Sequence, residues 1–283
     1  MAAVLLVMVV PTAAEAYPQP GGRILYLEFE GSTGGFGALK SVQPSGQGGQ
    51  DFGRQLPWYS WPDYSPDGTQ IAYADGEFSI RAMAADGSND RLLTQSGSAP
   101  AFPRWSPDGQ WVAFESGGDI WSVHRDGSAS GVMNLTGAHD SNELVPAWAP
   151  NGQSFAAATL NDIRIYSADG AQLLKVIPLP GAYRLDWSPK RGLIAVEALG
   201  DLWLVKVSSG AVQRLTNSPD VQEISPTWSP DGRWMAFGKG PGAHDPDLPG
   251  LTTDPVIWLI DREGGDQQST GVPGVPSSWR SAP

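Results

Sequence analysis

The chain is 283 residues long and acidic, with 30 Asp and Glu against 18 Lys and Arg and a formal net charge of −12. That sign disfavours nucleic acid and anionic membrane surfaces, which recruit Lys and Arg, and suits a basic protein partner or a divalent cation. Cysteine is absent, so disulfides, thiolate metal sites and cysteine nucleophiles are excluded.

In chain order, Ala2–Val10 is a short apolar run followed by Ala14-Glu15-Ala16, the small-x-small form of a signal-peptidase site, although no Lys or Arg precedes the run. The run is too short to cross a bilayer as a helix. Residues 1–16 therefore read as a signal peptide and 17–283 as one domain, which places the mature protein in the periplasm or outside the cell.

Beyond Pro57 one motif returns. It reads PDYSPDG at Pro62–Gly68, PRWSPDG at Pro103–Gly109, PAWAPNG at Pro146–Gly152 and PTWSPDG at Pro226–Gly232. A looser copy runs through Leu185-Asp186-Trp187-Ser188-Pro189, and Pro276-Ser277-Ser278-Trp279 opens a sixth. Measured between the aromatics, the copies lie about 40 residues apart, and the last interval is about 50, the period of a four-stranded blade.

Pro103 to Thr136 shows the grammar. Arg104-Trp105 is a first strand. Ser106-Pro107-Asp108-Gly109 is a turn, in which proline presets φ and glycine accepts φ > 0. Trp111-Val112-Ala113-Phe114 is a second strand, and Asp119–Val123 is a third, with the two-residue alternation of a half-buried sheet. Asp126-Gly127 is a hairpin turn, and the fourth strand closes on Asn134-Leu135-Thr136. Ten of the 12 tryptophans occupy repeat positions, where packing between blades is the expected role. Trp58 and Trp61 fall outside the pattern.

The two ends complement each other. After Trp279-Arg280 the turn is missing, and Pro20-Gly21-Gly22-Arg23 followed by Ile24-Leu25-Tyr26-Leu27 has its form. The expected fold is thus an all-β, six-bladed β-propeller of four-stranded blades. Its last blade takes strand one from the C-terminus and strands two to four from the N-terminus, a clasp that removes exposed end faces and makes these residues a complete ring.

The pattern PxWSPDG…IAF…DIWxxxxDG…LT, carried by several near-perfect copies from Gly22 onward, resembles the WD40-like repeat of TolB-type propellers. The resemblance implies a periplasmic or extracellular protein that binds other proteins at one mouth of the ring, extended segments entering the channel included. TolB itself carries an α/β domain for which this chain has no room. The same repeat also serves in prolyl-oligopeptidase-type peptidases, whose separate hydrolase domain and G-x-S-x-G elbow are missing from this sequence.

In a propeller of this strand order, turns after strands one and three share one face, and loops after strands two and four share the other. The first set is short and leaves little to bind with; the second is long and varied, the usual seat of function. The largest loop, from Gly238 to Pro255, carries Lys239, His244, Asp245 and Asp247. Neighbouring loops carry His139, Asp140 and Glu143, and Asp220 and Glu223. These nine residues are the candidate partner-binding rim, an acidic mouth that would draw in a basic protein or an extended peptide, within a cell-envelope complex. The bland alternative is that they form a solvated surface. No catalytic motif is present and no cofactor is implied. Calcium is the ion the rim oxygens would suit best, since neither His-Asp pair has transition-metal spacing. The rival reading is a metal-dependent hydrolase or lyase with an ion in the channel.

Overall fold

The computed structural model describes residues 21–29, 35–128, 131–139, 142–242, 252 and 254–281. The proposed signal peptide lies outside these residues. Within them, 24 strands form six four-stranded antiparallel sheets, as the repeat predicts. The innermost strands are Asp63–Tyr64, Ala101–Trp105, Leu144–Trp148, Ala182–Trp187, Val221–Trp228 and Val275–Arg280. They belong to blades one to six respectively, and they touch in sequence around the ring.

The sixth blade is composite. Val275–Arg280 pairs with Arg23–Glu28, matching Arg23 to Arg280 and Ile24 to Trp279, and Phe36–Val42 and Gln50–Pro57 complete the sheet. Ile24, Leu25, Leu27 and Leu39 are buried, as is Trp279. The clasp therefore seals apolar surface as well as satisfying a sheet edge.

Each motif residue has a visible task. Ser65 donates to Asp67 at 2.6 Å and accepts the Gln70 amide at 2.9 Å, while Asp67 accepts the Thr69 amide at 3.0 Å. The same bonds recur at Ser106–Asp108 and Ser229–Asp231. The serine and aspartate thus tie the turn to the start of the second strand. In the hairpin after the third strand, glycine is needed for a second reason besides φ. A Cβ on Gly170, at φ +73, would stand 1.9 Å from the carbonyl oxygen of Leu135 in the preceding blade. The Leu-Thr ending also has a role: Thr136 and Thr216 accept the amides of Ile120 and Leu202, at 2.8 and 3.0 Å, binding the outer edge back to the third strand. In blades two and four, regular pairing stops just before this pair, at Asn134 and Arg214.

Candidate functional site

The residue just before the aromatic of the motif is the one that faces the axis. Taken around the ring, it is Asp63, Arg104, Ala147, Asp186, Thr227 and Ser278. All six line a cavity of about 300 Å³ that opens on the short-turn face. Its walls are Trp105, Trp148, Trp187, Trp228 and Trp279, with Pro66, Pro107, Pro150, Pro189 and Pro230 from the turns. The sequence-based expectation that short turns leave little to bind with is therefore corrected. Short turns leave the funnel uncovered, and its chemistry comes from strand residues beneath them.

Four of the axial residues connect neighbouring blades, Thr227 by donating its hydroxyl to Asp186 at 3.3 Å. Asp63 accepts the Trp105 amide at 2.9 Å and the Ser278 hydroxyl at 2.6 Å. Asp186 accepts the Trp228 amide at 2.7 Å, and Ser278 accepts that of Tyr64 at 3.2 Å. Burial pushes the Asp186 carboxyl above the usual carboxylate range, against the pull of the Arg104 guanidinium.

The channel does not continue through the ring. At the loop face the inner strands begin with a bulge, and the residue three before the aromatic takes a left-handed conformation at Trp61, Phe102, Val145 and Ser225, with φ of 39, 52, 45 and 57. This turns large side chains across the axis. Trp61 and Phe102 lie 6.1 Å apart, and Phe102 packs edge-on to Tyr183 at 6.0 Å. The Arg184 guanidinium sits 3.9 Å from the Trp61 ring and 4.6 Å from that of Tyr183. Glu197 neutralises it at 3.2 Å while accepting the Ser225 amide at 2.9 Å. Trp61, at the repeat position that Phe102 and Val145 occupy in the next two blades, is thus the centre of a plug, and the funnel is a cup.

The predicted rim divides on inspection. Asp140, His244, Asp245 and Asp247 lie outside the described residues. Glu143 and Glu223 are not rim groups: both are fully buried. Glu143 accepts the Tyr166 hydroxyl at 2.5 Å and lies 3.7 Å from Arg164. Glu223 binds Lys239 at 2.8 Å and Ser218 at 3.0 Å. The physical reason is local: each carboxylate sits beside a cation from its own blade, and pairing lets it be enclosed. Lys239 is therefore engaged, and it also lies 5.2 Å from the Trp258 ring. His139 is a wedge between blades two and three, with its ring 5.0 Å from Tyr166 and Nε2 3.1 Å from the Gly170 carbonyl oxygen. Asp220 is exposed. Among the described residues, no group of three or more His, Asp or Glu side chains is placed to hold a metal ion.

Sequence reasoning missed the axial hexad and the plug. The hexad had a signal, because it is the variable position inside the motif that identifies the fold. The plug had a weaker one, because the position three residues before the aromatic holds a different residue type in each blade: Trp61, Phe102, Val145 and Ser225.

Comparison with known proteins bears on the fold. No family model matches the chain. It is 27% identical over 194 residues to the uncharacterized peptidase YuxL of Bacillus subtilis, covering 62% of this chain and 28% of that protein. It is 34% identical over 108 residues to the Tol-Pal system protein TolB of Desulfosudis oleivorans, covering 36% of this chain and 24% of that one. The chain thus spans under a third of the length of these curated relatives. The crystal structure of TolB from Acinetobacter baumannii superposes with a TM-score of 0.71 at 19% identity, over 93% of this chain and 67% of that chain. Repeat sequence and fold agree on a TolB-like six-bladed propeller.

Proposed function

We propose that the chain is a non-catalytic binding propeller of the cell envelope that receives an extended segment of a protein partner in the cup on its short-turn face. The observation that carries this reading is the closed bottom of the channel. A dead-ended cavity with tryptophan and proline walls and charged side chains at its floor has the make-up of a recognition site, concave, with aromatic surface around a set of convergent polar groups. Similarity to a Tol-Pal system protein supports a protein partner and an envelope location. The net charge of −12 supports a partner segment with basic character, although in the cup itself Asp63 and Asp186 are matched by Arg104 and Arg280.

The loop face provides a second site to weigh, since Asp220 is exposed there and Lys239 borders the long loop. Immobilised protein incubated with envelope extract separates the two faces. Ala147→Trp fills the cup, whereas deletion of residues 243–251 together with Asp220→Lys alters only the loop face. Loss of a defined retained protein with Ala147→Trp, and its retention by the loop variant, is the expected result. The reverse pattern assigns binding to the loops. No protein retained by the wild-type chain at low salt defeats the binding reading.

A further inference from the structure

The axial ring is not uniform, and its irregularity marks out a second kind of chemistry. At three of its six blade junctions, the axial side chain of one blade accepts the amide of the next blade's aromatic: Asp63 from Trp105, Asp186 from Trp228 and Ser278 from Tyr64. The register that aims those amides at the axis recurs at Trp148 and Trp187. Trp148 stands opposite Phe155 and Trp187 opposite Ile194, as Trp105 stands opposite Val112, and the next residue donates to the second strand in all three blades. Yet the axial residues that precede them are Arg104, which has no acceptor, and Ala147, which has no polar atom. That sector of the cup therefore presents donors where the junctions at Asp63, Asp186 and Ser278 present satisfied pairs, while at the remaining junction Thr227 turns its hydroxyl to Asp186 at 3.3 Å.

Arg104 strengthens the contrast. Its side chain is 8% exposed and lines the cup, and among the described residues its Nε and Nη1 have no hydrogen-bond partner. The indole N–H groups of Trp105 and Trp148, on the same wall, are likewise without one among the described residues. A guanidinium enclosed without acceptors is costly, and a planar fork of donors matches a carboxylate. We infer that the cup holds a carboxylate subsite, formed by the Arg104 guanidinium with the backbone amides of Trp148 and Trp187.

The inference rests on the reading that an extended segment enters the cup, and it names what that segment brings to the floor: a carboxyl group. Two sources share this chemistry, a C-terminal carboxylate and the side chain of Asp or Glu. The test uses four probes: acetyl-trialanine with a free terminus, the same peptide as its amide, acetyl-Ala-Glu-Ala-amide, and acetate. Tryptophan fluorescence reports occupancy, and amide shifts of Trp148 and Trp187 report position.

One of the two carboxylate peptides is expected to bind at least about tenfold more tightly than the neutral amide, a factor worth about 1.4 kcal/mol. Which of the two does so identifies the source. That preference should vanish in Arg104→Met. It should vanish as well in Ala147→Asp, which supplies the acceptor that Trp187 lacks and so restores the pattern of Asp63 and Asp186 without emptying the fold. Equal binding of acid and amide overturns the subsite while leaving the peptide-binding cup intact. A preference that survives Arg104→Met overturns it too. Binding of no probe, with capture from extract still blocked by Ala147→Trp, overturns the carboxylate alone; loss of both results overturns cup and subsite together.

Discussion

Replacing Asp63 with alanine tests the axial ring most directly. The carboxylate is 3% exposed and accepts two bonds, from the Trp105 amide at 2.9 Å and the Ser278 hydroxyl at 2.6 Å, so it ties blades six, one and two together. The serine hydroxyl can rotate towards the open cup and recover a partner, whereas the Trp105 amide cannot move. A hydrogen bond to a charged group contributes about 1.5–3 kcal/mol, and a buried donor left alone costs about 1–3 kcal/mol. The relief of no longer enclosing a carboxylate offsets part of this, which leaves a net loss of about 2–3 kcal/mol. A chain of this size has an unfolding entropy of about 0.6 kcal/mol/K, so the melting temperature should fall by about 3–5 °C. Scanning calorimetry on the wild type, Asp63→Ala and Asp63→Asn reads this directly. Asparagine keeps an acceptor for Trp105 and should lose less than half as much. An alanine variant that melts within about 1 °C of the wild type refutes the argument, as does an asparagine variant that loses as much as alanine, since either outcome means that the amide bond is not what the carboxylate supplies.

Two other expectations follow from the plug and the turns. Glu197→Gln removes the charge beside Arg184, a guanidinium only 2% exposed, and should cost about 3–5 kcal/mol in urea unfolding. Adding Arg184→Met should recover at least half, because glutamine still accepts the Ser225 amide; a double variant no more stable than the single one would show that the cation was not the burden. Towards acid, Asp67, Asp86 and Asp169 have carboxyl groups held below the usual range, chiefly by serine hydroxyls and backbone amides. Asp126 is held down to about 2, chiefly by His124. Groups depressed on folding contribute fully above their unfolded pKa, and the contribution is lost as pH falls through the folded value. Asp186 and Glu115, raised by burial, act in the opposite sense, because protonation relieves their desolvation. With more groups depressed than raised, the melting temperature should hold steady from pH 7 to about 5 and decline from about 4 towards 2. A melting temperature that climbs between pH 4 and 2 would contradict the turn bonds.

The repeats made the architecture readable because each turn is a local object. Ser65, Asp67 and Gly68 satisfy one another within a few residues, and a pattern that closes on itself is visible in one dimension. Even the composite blade could be read, since Gly22-Arg23-Ile24 completes what Trp279-Arg280 begins. The site was harder for a related reason. Asp63, Arg104 and Asp186 are separated by about 40 or 80 residues and become a constellation only when the ring closes, while within each motif they look like filler. Glu143 and Glu223 misled in the opposite way. A carboxylate in a loop reads as solvent-exposed, and the cations that enclose them, Arg164 and Lys239, arrive from strands further along the chain. Trp61 stands at the position of Phe102 and Val145, but that position carries no shared residue type, so only its left-handed backbone in the folded ring marks it.

The pairing of Arg23–Glu28 with Val275–Arg280 also sets a timetable. During synthesis at about 5–20 residues per second, the strands ending at Pro57 leave the ribosome some tens of seconds before Arg280 can follow. Through that interval Ile24, Leu25, Leu27 and Leu39 have no inner strand to cover them, and the opposite face of the growing array is equally bare. Non-local closure of this kind is slow in its own right. The earliest part of the propeller is therefore the last to be protected. The arrival of Trp279 beside Ile24 is the event that turns an open, sticky ribbon into a sealed ring.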